Sequence, residues 1–96
     1  MFNSNDKFEF MVLKERYEDD ILFVMNKDFR LYSINSSGIE IYNLLKEEYS
    51  LGQIINYMLE KYRIPEKQLC GDIYFFIDLL LKNEILSLKA EGLKEI

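Results

Sequence analysis

Phe29-Arg-Leu-Tyr-Ser-Ile34-Asn-Ser-Ser-Gly38-Ile-Glu-Ile-Tyr-Asn-Leu-Leu45 is the stretch that decides the fold. Its aromatic and β-branched start, Phe29–Ile34, suits an extended strand. A polar break follows, in which Asn35, Ser36 and Ser37 can each cap a helix by accepting an amide proton that the first turn leaves unpaired. Ile41, Leu44 and Leu45 then recur three and four apart, on one helical face. This spacing predicts a strand that turns directly into a helix.

Towards the N-terminus, Ile21-Leu-Phe-Val-Met25 is a nearly continuous apolar run of strand length, joined to Phe29 by the turn-like Asn26-Lys27-Asp28. Phe8-Glu-Phe-Met-Val-Leu13 alternates loosely, with Phe8, Phe10 and Val12 on one face, and Tyr17-Glu-Asp-Asp20 is a polar break. Residues 1–7 are polar and expected to fray. Parallel strands need a crossover of about a dozen residues, and these breaks are far shorter. The three predicted strands therefore form an antiparallel meander, with Phe29–Ile34 at its edge.

Towards the C-terminus the pattern is helical. Helix one is expected over Ser37–Glu48. Ser50 and Gln53 make a Ser-x-x-Gln capping box for a second helix whose stripe is Ile54, Ile55, Met58, Leu59 and Tyr62. Arg63-Ile64-Pro65 ends it, because the residue before proline is pushed out of the helical region, and Pro65 suits the start of the next helix. Helix three is expected over Glu66–Lys82, with Asn83 as a left-handed stop, a short strand at Ile85–Leu88 and a loose tail from Lys89 to Ile96.

Composition sets the class. With 96 residues, 49% hydrophobic and 15% aromatic, the chain reads as one folded α+β domain, 1–96, with its core at about 8–88. No apolar run has the ~20 residues needed to cross a bilayer, and no signal peptide opens the chain, so no membrane role is expected. The single cysteine, Cys70, excludes an internal disulfide and fits a cytoplasmic location. Twelve basic and 17 acidic residues give a net charge of −5, which argues against nucleic-acid binding. Histidine is absent, and the glycines at 38, 52, 71 and 92 are isolated. That removes Ser-His and Cys-His nucleophile pairs, His-containing metal sites and Gly-rich phosphate loops. An enzyme is not expected, nor a cofactor or metal.

Helix three carries apolar residues on more than one side. At 100° per residue, Leu69, Cys70, Ile73, Phe76, Ile77, Leu80 and Leu81 fill one broad arc that should face the core. Phe75 and Leu79 fall on the far side, one turn apart. Either the pair packs against the strands, or it belongs to a hydrophobic groove kept for a partner. The edge strand matches the second reading, since its unpaired amides and carbonyls can accept another chain. An open edge beside an apolar helix face is a peptide-binding groove.

The order of elements resembles the family of PqqD-like proteins, the RiPP precursor recognition elements, over about Phe8–Leu88. Its carriers are Leu31-Tyr-Ser-Ile-Asn35-Ser-Ser-Gly38, Ile41-Tyr-Asn-Leu-Leu45, Tyr49-Ser-Leu-Gly-Gln-Ile-Ile55, Lys61-Tyr62-Arg-Ile-Pro65, Asp72-Ile-Tyr-Phe-Phe-Ile-Asp-Leu-Leu-Leu81 and Ile85-Leu86. Two positions depart from the family pattern: Asn83 stands where glycine is usual, and Cys70 where a polar residue is commoner. The resemblance implies a winged helix-turn-helix domain, a three-stranded antiparallel N-terminal sheet followed by three helices. It also implies binding of the leader peptide of a ribosomally made natural-product precursor, and its presentation in trans to a tailoring enzyme or leader peptidase. The leader would add as an antiparallel strand along Phe29, Arg30, Leu31, Tyr32, Ser33 and Ile34, with its apolar side chains against Asp72, Phe75, Phe76, Leu79 and Lys82. Asp72 could instead cap a nearby turn, and Lys82 could be a solvated lysine favoured by the helix dipole.

Two other functions compete. A winged-helix DNA-binding regulator would present helix three to DNA, yet Glu66–Lys82 holds two lysines against three acids. The third reading is a plain protein-interaction module, dimeric through the same edge strand.

Overall fold

The computed structural model describes residues 2–89. Strands β1 (Phe8–Phe10), β2 (Val12–Glu18), β3 (Ile21–Asn26) and β4 (Leu31–Ile34) precede helices α1 (Ser36–Lys46), α2 (Leu51–Lys61) and α3 (Glu66–Lys82), and β5 (Leu86–Leu88) follows. β2, β3 and β4 form an antiparallel sheet in that order, while β1 and β5 pair as a separate antiparallel ribbon. No helix among the described residues is long and apolar enough to cross a membrane. The fold is α+β, with a three-stranded antiparallel sheet ahead of three helices.

Alternation along β3 sets the sheet's inner face. Leu22 and Val24 are buried, and their partners across the ladder are Ile34 and Tyr32 of β4. α1 begins where the sequence placed the junction, with Asn35 as the cap: its side chain accepts from the Gly38 amide at 3.1 Å. Ile41, Tyr42, Leu44 and Leu45 of α1 enter the core with Leu22 and Val24. α2 carries the expected capping box at Ser50 and Gln53, and α3 has the expected bounds. Leu69, Ile73, Ile77 and Leu80 of α3 are core, while Cys70, Phe76 and Leu81 are half-buried.

Several sequence expectations need correction. The run expected as one strand from Phe8 to Leu13 divides: β1 leaves to pair with β5, and β2 continues through Tyr17 and Glu18. All of Leu13–Glu18 is exposed, so the backbone pairing of β2 carries no buried, alternating hydrophobic signature. The strand expected from Phe29 begins at Leu31. Asn26 Oδ1 accepts from the Asp28 and Arg30 amides at 2.9 and 3.0 Å, which curls the turn and leaves Phe29 at φ 64. Helix one starts and ends a residue or two earlier than expected, at Ser36 and Lys46. Asn83 has φ −93, and the left-handed residue is Glu84 at φ 58. The N-terminal residues are docked rather than frayed: the Leu51 and Gly52 amides donate to the Asp6 and Ser4 carbonyls at 2.9 and 2.8 Å. Those amides are orphans of the first turn of α2, and a backbone segment satisfies them. The tail expected to be loose lies, past residue 89, outside the described residues.

Candidate functional site

β4 pairs with β3 on one side, and no strand among the described residues pairs with the other. The Asn26 amide donates to the Arg30 carbonyl at 3.0 Å. Hydrogen-bonded positions alternate along an antiparallel ladder. With Val24 opposite Tyr32 and Leu22 opposite Ile34, those two β4 residues turn their backbone groups to β3. Leu31 and Ser33 consequently turn theirs outward, each offering one amide and one carbonyl.

α3 lies alongside that free edge. A groove of about 390 Å³ runs between them, lined by Leu31, Tyr32, Ser33 and Ile34 of β4, by Phe76, Leu79 and Leu80 of α3, and by Asn83 and Ile85. Its upper end is closed by contact: a Cβ at Gly38 would stand 2.7 Å from Phe76 Cε1 and 2.8 Å from Ile34 Cγ2. The glycine thus lets β4, α1 and α3 meet. At the lower end, Arg30 and Tyr32 share a second recess with Lys82 and Asn83. Ile34 therefore neighbours the middle of α3 and Arg30 its last turn, so the strand and the helix run in opposite directions.

Asn26 ties the lower end together. It is a buried polar residue, 2% exposed, on the inward register of β3. Its Nδ2 donates to the Asn83 carbonyl at 2.8 Å, while its Oδ1 takes the two turn amides described above. All three bonds are satisfied, as burial demands. The sequence alone places Asn26 in a turn. A polar residue continuing the inward series Leu22, Val24 was the available signal for this role.

The eleven expected site residues separate into groups. Leu31, Tyr32, Ser33, Ile34, Phe76 and Leu79 line one groove together. Ile34 is 5% exposed, so its side chain is groove floor and core at once. Phe75 and Leu79 are 68% and 40% exposed, so neither packs into the core against the strands; Leu79 lines the groove, and Phe75 lines none of the recesses. Phe29, 75% exposed, lines neither recess. Arg30 and Lys82 stand at the lower recess, where Lys82 also pairs with Asp78 at 3.1 Å. Asp72 stands one turn above Phe76 and makes no side-chain hydrogen bond or ion pair among the described residues, so it caps no turn.

Charge braces the sheet from behind. Glu15 of β2 accepts from Tyr42 Oη at 2.6 Å and from Lys46 Nζ at 2.8 and 3.0 Å. Burial disfavours the Glu15 carboxylate, but the hydrogen bonds from Lys46 and Tyr42 outweigh it and hold the carboxyl below its ordinary pKa. Burial and Glu15 together push the Tyr42 phenol up. Among the described residues, no group of three or more His, Cys, Asp or Glu could hold a metal ion.

Comparison with known proteins adds two matches. The family model for Coenzyme PQQ synthesis protein D (PqqD) matches residues 22–86, from within β3 to the start of β5. Among solved structures, the chain is similar to TbiB1 in complex with the TbiA(beta) leader peptide. The TM-score is 0.73 at 20% identity, covering 93% of this chain and 99% of that one. No curated protein matches.

Proposed function

This chain belongs to the PqqD family, and on that premise we propose that it binds the leader peptide of a ribosomally synthesised natural-product precursor by strand addition to β4. One observation carries the reading: the unpaired edge of Leu31 and Ser33 borders an apolar groove of about 390 Å³. The similar TbiB1 chain, seen with a leader peptide, supports it. Backbone bonds to Leu31 and Ser33 supply affinity that any sequence can use. Side chains on alternate leader residues enter the groove against Phe76, Leu79 and Leu80 and supply selectivity, and the exposed Phe75 ring, one turn before Leu79, is left to cover the bound chain from outside. Arg30 and Lys82 flank the exit, and Asp72 the entrance. The chain works by holding its peptide for a separate tailoring enzyme or leader peptidase in the cytoplasm, and performs no chemistry itself.

The test begins with random peptides displayed on phage and selected against the full chain. Selected peptides are titrated in solution, with duplex DNA at low salt as the control. Binding should slow hydrogen exchange at the Leu31 and Ser33 amides, while Tyr32 and Ile34 are protected beforehand. Selected peptides that leave Leu31 and Ser33 exchange unchanged, or binding by DNA alone, refute the proposal.

A further inference from the structure

A second, separate recess, of about 200 Å³, lies on the other side of the Gly38–Phe76 contact, between the first half of α3, the start of α1 and the end of α2. Ile41, Met58, Leu69 and Ile73 make its apolar floor, and Glu40 and Asp72 are the charged residues lining it. A cavity smaller than this admits a benzene-sized group. The two carboxylates differ. Glu40 is already matched, since Lys61 Nζ and Tyr62 Oη both donate to it. Burial opposes its charge, but those two donors hold its pKa below the ordinary value. Asp72 has no such partner among the described residues, and no lysine or arginine lines the recess. An aliphatic floor under an uncompensated carboxylate matches one class of side chain: a long methylene stem with a cationic head. An acidic occupant would be repelled, and a purely apolar one would leave Asp72 partly desolvated without a partner.

The place of that residue on the peptide follows from direction, and rests on the strand-addition reading. A chain added antiparallel to β4 enters opposite Ile34 and leaves opposite Leu31. Residues preceding the paired segment therefore pass Phe76 towards Asp72. Asp72 is four residues, ~6 Å along the axis, ahead of Phe76. An extended chain covers that in about two residues at ~3.3 Å each. We propose that the Asp72 recess takes a lysine or arginine of the leader, about two residues ahead of the one facing Ile34. Such a contact also fixes register. Apolar pockets alone tolerate a slip by two, whereas a slipped cation would miss its carboxylate.

The experiment uses the phage-selected peptides and the full chain. Selected peptides should share a basic residue ahead of their apolar segment. Asp72→Lys should weaken their binding about tenfold or more. Changing the peptide's basic residue to glutamate should restore binding to Asp72→Lys while weakening it to the unsubstituted chain. Asp72 is exposed and unbonded, so the variant keeps its fold, as its circular dichroism melt will show. Peptides that need the β4 edge but carry no basic residue there, or that bind Asp72→Lys unchanged, overturn this inference and leave strand addition standing. Peptides indifferent to Ser33→Pro overturn strand addition itself, and this inference with it.

Discussion

Ser33→Pro removes one outward amide of β4 and leaves the ladder to β3 intact, because Tyr32 and Ile34 carry that ladder. Proline lacks the donor, and a peptide carbonyl that used it loses its partner. A lost hydrogen bond with a stranded, desolvated partner costs about 1–3 kcal/mol. At about 1.4 kcal/mol per tenfold, affinity should fall roughly five- to 150-fold. The fold should tolerate the change. Ser33 is exposed on an edge strand, where proline is permitted, and Tyr32 before it is already extended. Tyr32→Pro is the opposing control: it removes a donor to β3, so stability should drop by about 1–3 kcal/mol. Fluorescence anisotropy with a labelled, selected peptide reads affinity, and denaturant midpoints read stability. Ser33→Pro binding within about twofold of the unsubstituted chain, a difference of under about 0.5 kcal/mol, would refute the strand-addition geometry.

Phe75→Glu should leave the melting temperature nearly unchanged, since the ring is 68% exposed, while abolishing peptide binding in the same titration. Gly38→Ala should destabilise by about 1 kcal/mol in denaturant, because overpacking of about 1–3 kcal/mol exceeds the helix-propensity gain of about 1 kcal/mol. Its Cβ would press on Phe76 and Ile34, so peptide binding should weaken as well. Glu15→Gln tests the brace behind the sheet. Glu15 has a depressed pKa in the fold, so its contribution is full above the unfolded value and is lost as pH falls through the folded one. The stability difference between the unsubstituted chain and Glu15→Gln should therefore be full at neutral pH, begin to shrink near the ordinary glutamate value of about 4.3, and be lost only once pH has passed below the depressed folded value. Thermal melts across a pH series measure it, and a difference that persists in acid would rule out the ionic brace.

Legibility in the sequence followed hydrophobic periodicity and cap chemistry. α3 was readable residue by residue because its stripe, Pro65 and the Lys82 end agree. The Ser50 capping box was readable because two side chains at fixed spacing do the capping. β2 was not, since its strand character rests on backbone pairing to β3 and not on apolar alternation. The docked N-terminus was equally silent, because carbonyls of Ser4 and Asp6 make its contacts and carry no sequence signature. At the site, the edge and the helix face were legible, but their ends were not. Phe29 is apolar enough for a strand and is excluded only by the side chain of Asn26, a tertiary effect. Whether Phe75 and Leu79 faced inward or outward depended on where the sheet stopped, which periodicity within one helix cannot report.

The Asn26 carboxamide has a mechanical consequence. It ties the hairpin tip to the residue that ends α3, so the two jaws cannot spread at that end without breaking the Asn26–Asn83 bond, while its two other bonds keep the tip itself rigid. At the opposite end, Gly38, Phe76 and Ile34 meet through van der Waals contact. Separating the jaws there costs only dispersion contacts, so a bulky guest should be met by displacement of the Phe76 ring sooner than by loss of the Asn26–Asn83 bond.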